Sequence, residues 1–528
     1  MFQPFFQRLM ICLLLCCAAW QAHALSPAQA RAMAGGDTDE RIAALQAAMV
    51  APDEATLALV RAMADDAVKI AGDRVFVLEG GAARDAVTGA SAALPQDAED
   101  IVNNNRMRSA IDAALASQRL MQGSLAQRRA ALDALQGEAD AALLPLLDKA
   151  IAAEQDGTLQ GRLRALRARI QLGSDDARER LQAAQQLAGS GSPASRTVLL
   201  EQLGKEPDAR VKAAMQRALA EVEDRLAWGE RMGVVFSGIS LGSILLLVAL
   251  GLAITYGLMG VINMAHGELM MIGAYATYVV QGLFQRYLPG AFDGYLLAAM
   301  PASFLAAALV GAVLERGVLR FLYGRPLETL LATWGISLVL MQLVRSLFGA
   351  QNVAVENPAW MSGGWQALPN LTLPFNRLAI IAFALAVLAG VAWLIARTRL
   401  GLFVRGVTQN RPIASCMGVN TARVDTMAFA LGSGIAGLAG CALSQVGNVG
   451  PDLGQSYIVD AFMVVVLGGV GQLAGTVYAA LGLGLLNKFL EGWTGAVLAK
   501  IAVLVFIIAF IQKRPQGIFA MKGRSAEA

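Results

Sequence analysis

Asn263, His266 and Glu268 sit in the run Asn263-Met264-Ala265-His266-Gly267-Glu268, a polar knot inside a stretch, residues 251–280, that is otherwise apolar: GLAITYGLMGVINMAHGELMMIGAYATYVV. An amide, an imidazole and a carboxylate so close together can donate and accept hydrogen bonds to a small polar solute. At membrane depth such groups are costly, so they face a bundle interior or a water-filled path, and non-helical backbone there must be shielded from lipid. Two readings stand: a loop at the membrane surface that joins two spans, or groups that line or shape a transport path. A zinc protease site is excluded, because position 270 is Met where a second histidine would be needed. The chain has 2 histidines, His23 and His266, and 5 cysteines without metal or disulfide spacing, so no metal site is expected. No phosphate-binding loop of the G-x-x-x-x-G-K-[ST] type occurs, and no catalytic residue and no cofactor are expected.

A second informative stretch is the basic loop 397–424, RTRLGLFVRGVTQNRPIASCMGVNTARV. Gln409-Asn410-Arg411-Pro412 can open a short amphipathic helix with Ile413, Ala414, Cys416 and Met417 on its apolar side, ended by Gly418. Such a helix can dock in the groove of a partner, with Arg405, Arg411 and Arg423 at its rim. The plainer reading is anchoring by positive charge.

The elements that must position these residues are legible from composition. The chain is 56% hydrophobic with 54 Gly and 16% charged residues, the profile of a helical membrane protein. Charge divides it: residues 25–230 hold 24 Lys+Arg against 30 Asp+Glu, and residues 231–528 hold 18 against 10. No basic run is interleaved with aromatics, so no nucleic-acid partner is expected. Residues 1–24 combine Arg8, an apolar core too short to span and Ala22-His23-Ala24, which reads as a signal peptide. Residues 25–230 read as an exported, mainly helical domain. Val211, Met215, Leu219, Val222 and Leu226 form one apolar stripe, and loosely similar segments suggest stacked helix pairs. Arg74–Glu79 followed by Gly80-Gly81 reads as a strand and turn pairing near Thr88, a small β hairpin.

Spans are expected near 234–257, 267–285, 295–315, 327–348, 377–396 and 425–446, then a glycine-interrupted pair near 456–473 and 475–490, and a last one near 496–512. The middle of the pair, LGGVGQLAG, is either a turn between two short crossings or a close helix contact. The fold class is therefore all-α: a polytopic domain of eight or nine spans, residues 231–528, behind the exported domain. Arginine-rich loops at 316–325 and 397–423, and a tail with Lys513, Arg514, Lys522 and Arg524, fall on one side if nine spans are counted. The positive-inside bias makes that side cytoplasmic and puts residues 25–230 outside.

Three segments in order, GISLGSILLLVALGLAITYGLMGVINMAHGELMMIGAY, MGVNTARVDTMAFALGSGIAGLAG and MVVVLGGVGQLAGTVYAALG, resemble the LivH-like permease family of ABC importers for branched-chain amino acids and urea, over nearly all of 232–516. The long N-terminal domain departs from the plain amino-acid permeases and is similar to the urea branch, the UrtB-like permeases. The resemblance implies a bacterial inner-membrane protein that is not itself an enzyme, forming the translocation path for urea while partner chains hydrolyse ATP. Implied partners are a second permease subunit, two ATP-binding subunits, a periplasmic solute-binding protein and membrane lipid. The coupling element would be the loop around 409–419, with Arg405, Gln409, Asn410, Arg411, Met417, Gly418 and Arg423. Asn263, His266 and Glu268 would line the path, with Thr333, Ser337 and Asp460 as further candidates; Thr333 and Ser337 commonly back-bond to their own helix instead. Nothing in the residues alone selects urea. A permease for branched-chain amino acids or short amides, a self-contained channel or carrier, and a membrane-anchored interaction protein remain alternatives.

Overall fold

The computed structural model describes residues 25–519 apart from 50–51, 80–81, 96–97, 137–140, 261 and 515–516. The expected signal segment, the Gly80-Gly81 turn and the tail residues Lys522 and Arg524 lie outside the described residues. The chain forms two compact units, divided between Arg225 and Leu226.

The first unit opens with three capped helices, α1 (Pro27–Ala34), α2 (Thr38–Ala48) and α3 (Glu54–Ala64), whose starts are set by Ser26, Asp37 and Asp53 at the N-caps. Strands β1 (Val68–Ala71), β2 (Arg74–Glu79), β3 (Ala82–Asp85) and β4 (Glu99–Asp100) follow in the order β3-β2-β1-β4, antiparallel throughout. The expected strand at Arg74–Glu79 is present and pairs, as a small hairpin, with the segment just before Thr88, as far as Ala86, whose N–H donates to the Val75 carbonyl at 2.9 Å. Its partners are β1, with Ile70 opposite Val75, and β3, with Val77 opposite Arg84. Thr88 instead sits in a turn held by the Asp85 carboxylate, which accepts from the backbone N–H groups of Val87 and Thr88 at 3.1 Å. Met33, Leu45, Leu59, Met63, Met107 and Ile111 form the core beside this sheet.

Helices α4 (Asn105–Gln122), α5 (Leu125–Leu135), α6 (Leu144–Ala153) and α7 (Gly157–Gln171) pack through Leu120, Leu132, Leu135, Leu147, Leu159, Leu163 and Leu166, and α8 (Ala177–Ala188) and α9 (Pro193–Leu203) follow. The stacking repeats a device. Arg128 makes a two-pronged ion pair with Glu154, and Arg180 makes the same pair with Glu206, both across 26 residues. Each glutamate also accepts a backbone N–H two residues on, from Asp156 and Asp208. Those aspartates then cap the next helix, Asp156 by accepting from the Leu159 N–H and Asp208 from the Arg210 N–H.

After Pro207 no proline interrupts the chain before Pro289, and α10 runs unbroken over Ala209–Met259. The apolar stripe at 211–226 and the span expected at 234–257 are thus one helix. The membrane helices continue as α11 (His266–Tyr287), α12 (Tyr295–Gly317), α13 (Pro326–Phe348) and α14 (Phe375–Arg397). Two short helices, α15 (Arg399–Gln409) and α16 (Arg411–Cys416), occupy the basic loop, and α17 (Thr421–Ser444), α18 (Leu453–Gly468), α19 (Leu473–Thr494) and α20 (Ala496–Lys513) complete the bundle. Among the described residues, 7 helices are long and apolar enough to cross a membrane; α11 carries the polar knot at its start and α18 is shorter. The apolar window of α17 is 78% buried, whereas those of α14 and α20 are 17% buried. The first therefore sits at the centre and the other two at the lipid-facing rim.

The interrupted pair proves to be both a turn and a close contact. Gly469 and Gly471 take φ values of +96° and +78° between α18 and α19, a conformation other residues rarely adopt. Gly468 lies against Gly475, where an added Cβ would collide with backbone. A short antiparallel pair, β5 (Gly364–Leu368) and β6 (Leu371–Pro374), joins α13 to α14 and had no signal in the sequence.

Candidate functional site

The polar knot is a turn, and it is buried. Helix α10 ends at Met259, Gly260 turns the chain at φ +65°, and α11 starts at His266. Asn263, His266 and Glu268 are 2%, 0% and 1% exposed. With no helical partner for its amides, the turn borrows side chains. The Asn263 Oδ1 accepts from the Ala265 N–H at 3.1 Å, and the Thr333 hydroxyl accepts from the Met264 N–H at 3.2 Å.

Helix α13 faces this turn with hydroxyls one turn apart. Thr333 donates to the Thr329 carbonyl at 2.8 Å, the back-bonded arrangement, and serves the turn with its lone pairs. Ser337 donates to the Glu268 Oε1 at 3.0 Å. The second carboxylate oxygen of Glu268 and the Nδ2 of Asn263 are buried without a partner among the described residues. Together with the His266 Nδ1, also buried without a partner among the described residues, free acceptors and a free donor thus stand around the same turn, and desolvated groups of this kind gain strongly from a solute that completes them.

His266 does different work. Its Nε2 lies 3.0 Å from the Val248 carbonyl oxygen on α10, which can only accept, so that nitrogen carries a proton. The ring packs against Gly251 and ties the start of α11 to α10. Gly267, next in sequence, touches Gly454 at the start of α18, and a Cβ on either would strike the other's backbone. Asp460 is not brought to this cluster: its carboxylate lies 3.7 Å from the Lys500 ammonium on α20.

The basic loop folds as two capped helices. Thr398 caps α15, and Asn410 caps α16 by accepting from the Ile413 N–H at 3.1 Å. Gly418, at φ +82°, reverses the chain toward α17. Ile413 and Met417 are 60% and 79% exposed, an apolar pair on the surface. Gln409 and Arg423 are exposed, and Arg405 folds back on α14 and α15 to donate to the Ile395 carbonyl at 3.1 Å. Arg411 is engaged inward, with the buried carboxylate of Asp425 on α17 and over the Tyr323 ring at 5.2 Å.

Sequence reasoning passed over several buried polar residues of this unit. Asp425 and Glu315 are 0% and 2% exposed; an ionisable residue inside an apolar span was the available signal. The Tyr295 hydroxyl donates to the Glu356 carbonyl at 2.8 Å and accepts from the Gln445 Nε2 at 3.1 Å, while the Gln281 Oε1 accepts from the Glu356 N–H at 3.3 Å. These bonds pin the segment after α13 onto α11, α12 and α17. Among the described residues no group of three His, Cys, Asp or Glu could hold a metal ion.

The architecture is that of a polytopic helical membrane protein with a buried polar turn at its centre and a capped helix pair in a basic loop. The family of branched-chain amino acid transport system permease components matches residues 234–511, and the chain belongs to it. It is similar to the high-affinity branched-chain amino acid transport system permease protein LivH of Escherichia coli K12, with 28% identity over 294 residues, covering 54% of this chain and 94% of that protein. The corresponding BraD protein of Pseudomonas aeruginosa is 27% identical over 286 residues, 53% of this chain and 93% of its own length. A probable LivH of Methanocaldococcus jannaschii is 25% identical over 305 residues, 55% and 92% of the two chains. No solved structure matches.

Proposed function

We propose that the chain is the permease subunit of an ABC importer for a small neutral nitrogenous solute, urea foremost. It would work with a second permease, two ATP-binding subunits and an exported solute-binding protein, the basic loops and tail cytoplasmic and the first unit outside. The observation that carries the reading is the cluster of Glu268, Ser337, Thr333 and Asn263, with one free acceptor and one free donor. Urea offers N–H groups on both sides of a carbonyl oxygen, the two kinds of group that such an acceptor and donor call for. No lysine or arginine is among the buried residues described in the membrane unit. A zwitterionic amino acid would bring a carboxylate next to the Glu268 carboxyl with no buried cation to offset it. The first unit, outside the region matched by the amino-acid permeases, further supports the urea branch.

The second reading is a permease for branched-chain amino acids, which the names of the relatives favour. Uptake of labelled urea at micromolar concentration, in cells with and without the gene and with excess leucine, separates the two. Gene-dependent urea uptake that ignores leucine is the expected result. Urea uptake unchanged by deletion, with leucine uptake lost, would replace urea by the amino acid.

A further inference from the structure

We propose that Asp425, Glu315 and Tyr323 are positioning residues that fasten the coupling helix α16 to α12 and α17, the helices that pack against α11 and its polar turn, so that a displacement of α16 is delivered to them rather than dissipated in the loop. The proposal rests on the ABC-importer reading above and adds to it the residues of transmission. Three helices and the turn at Tyr323 meet at one cluster around the buried carboxyls of Asp425 and Glu315. Arg411, from α16, pairs with Asp425, near the start of α17, and lies over the ring of Tyr323. The Tyr323 hydroxyl donates to the Glu315 Oε1 at 2.7 Å, and the Thr426 hydroxyl lies 2.6 Å from the Glu315 Oε2, with Glu315 in the last turn of α12.

The Asp425 side chain is fully buried and its other oxygen has no partner among the described residues. Drawing α16 away would therefore leave a buried anion without its cation, a strongly unfavourable arrangement, and the helices move together. Below the cluster the connection is steric. Gly437 of α17 lies against Ser303 of α12, and Gly440 lies against Met270 of α11, within the first turns after the polar knot. Helix backbones in contact have no soft layer of side chains to absorb a shift.

The test uses the full chain assembled with its ATP-binding, permease and solute-binding partners in liposomes. It compares wild type with Asp425→Asn, Tyr323→Phe and Asp425→Glu. The readouts are the amount of assembled complex, ATP hydrolysis and solute taken up per ATP. The expected result for Asp425→Asn and Tyr323→Phe is normal assembly and hydrolysis, with solute per ATP lowered about tenfold for the former, within the range of coupling effects between sites. Asp425→Glu recovers part of the ratio. An unchanged ratio in both Asp425→Asn and Tyr323→Phe overturns the proposal, as does a proportional fall of hydrolysis and uptake. A wild-type assembly with no solute-dependent hydrolysis overturns the ABC reading and this proposal with it.

Discussion

Glu268 meets Ser337 through one oxygen and leaves the other without a partner. Glu268→Gln keeps the shape but replaces an acceptor oxygen by a donor, so a solute that gives an N–H to it loses that hydrogen bond and meets a buried donor in its place. Uptake is expected to fall about tenfold or more. Ser337→Ala, which removes only the orienting donor, is expected to raise the half-saturating concentration with a smaller change in maximal rate; initial-rate uptake curves check both. Asn263, His266 and Glu268 were legible in the sequence because polar residues stand out within an apolar run. Ser337 was legible only as a candidate, since its meeting with Glu268 joins positions 69 apart, and no local pattern encodes that contact. The same holds for Thr426 and Glu315, 111 apart. Asp460 stands apart from the cluster, 3.7 Å from the Lys500 ammonium of α20, another contact that no local pattern encodes.

At the scale of elements, caps and periodicity made the helices readable, while their joints were not. Helix α10 merges two expected segments because no proline or cap separates them, and the partner of β2 ends at Ala86, just short of Thr88, because Thr88 belongs to an Asp85-centred turn. Gly267→Ala is expected to destabilise the membrane unit by about 1–3 kcal/mol, since the backbones of α11 and α18 would have to part. Thermal aggregation of the detergent-solubilised chain measures it, with Leu331→Ala on the exposed face of α13 as a near-neutral control. In the first unit, Arg128 and Arg180 hold the carboxyls of Glu154 and Glu206 below their ordinary range. The unfolded chain binds these protons at about pH 4.3 and the folded chain only at lower pH. Their contribution to stability is therefore complete above the unfolded value and is lost as pH falls through the folded one. Hydrogen exchange of α5–α9 in the full chain is expected to accelerate over that acidic window, and Glu206→Gln to flatten the dependence while weakening the unit at neutral pH.

For the whole molecule, the boundary at Arg225 and the start of the family match at 234 nearly coincide. Relatives of the E. coli LivH kind are covered over 94% of their length by 54% of this chain, so the second unit corresponds to an almost complete permease. Removing 25–225 is expected to leave a chain that reaches the membrane and retains uptake, measured in cells with the deletion replacing the gene. Loss of uptake with normal membrane levels would instead give the first unit a part in solute delivery. What no residue pattern conveyed was the centrality of α17: its composition resembles that of other spans, and its burial follows from where three neighbours place their glycines.

Those glycine contacts also shape how the chain can vary. Where Gly267 meets Gly454, Gly273 meets Gly437 and Gly468 meets Gly475, no side chain of any kind can be inserted. On the outer faces of α12 and α13, by contrast, Leu305, Leu309 and Leu331 are more than half exposed and exchange readily for other apolar residues. Random mutation would accordingly leave a dotted line of intolerant positions along the helix seams and wide freedom elsewhere. A saturation scan would draw the map of touching backbones before it drew the route of the solute.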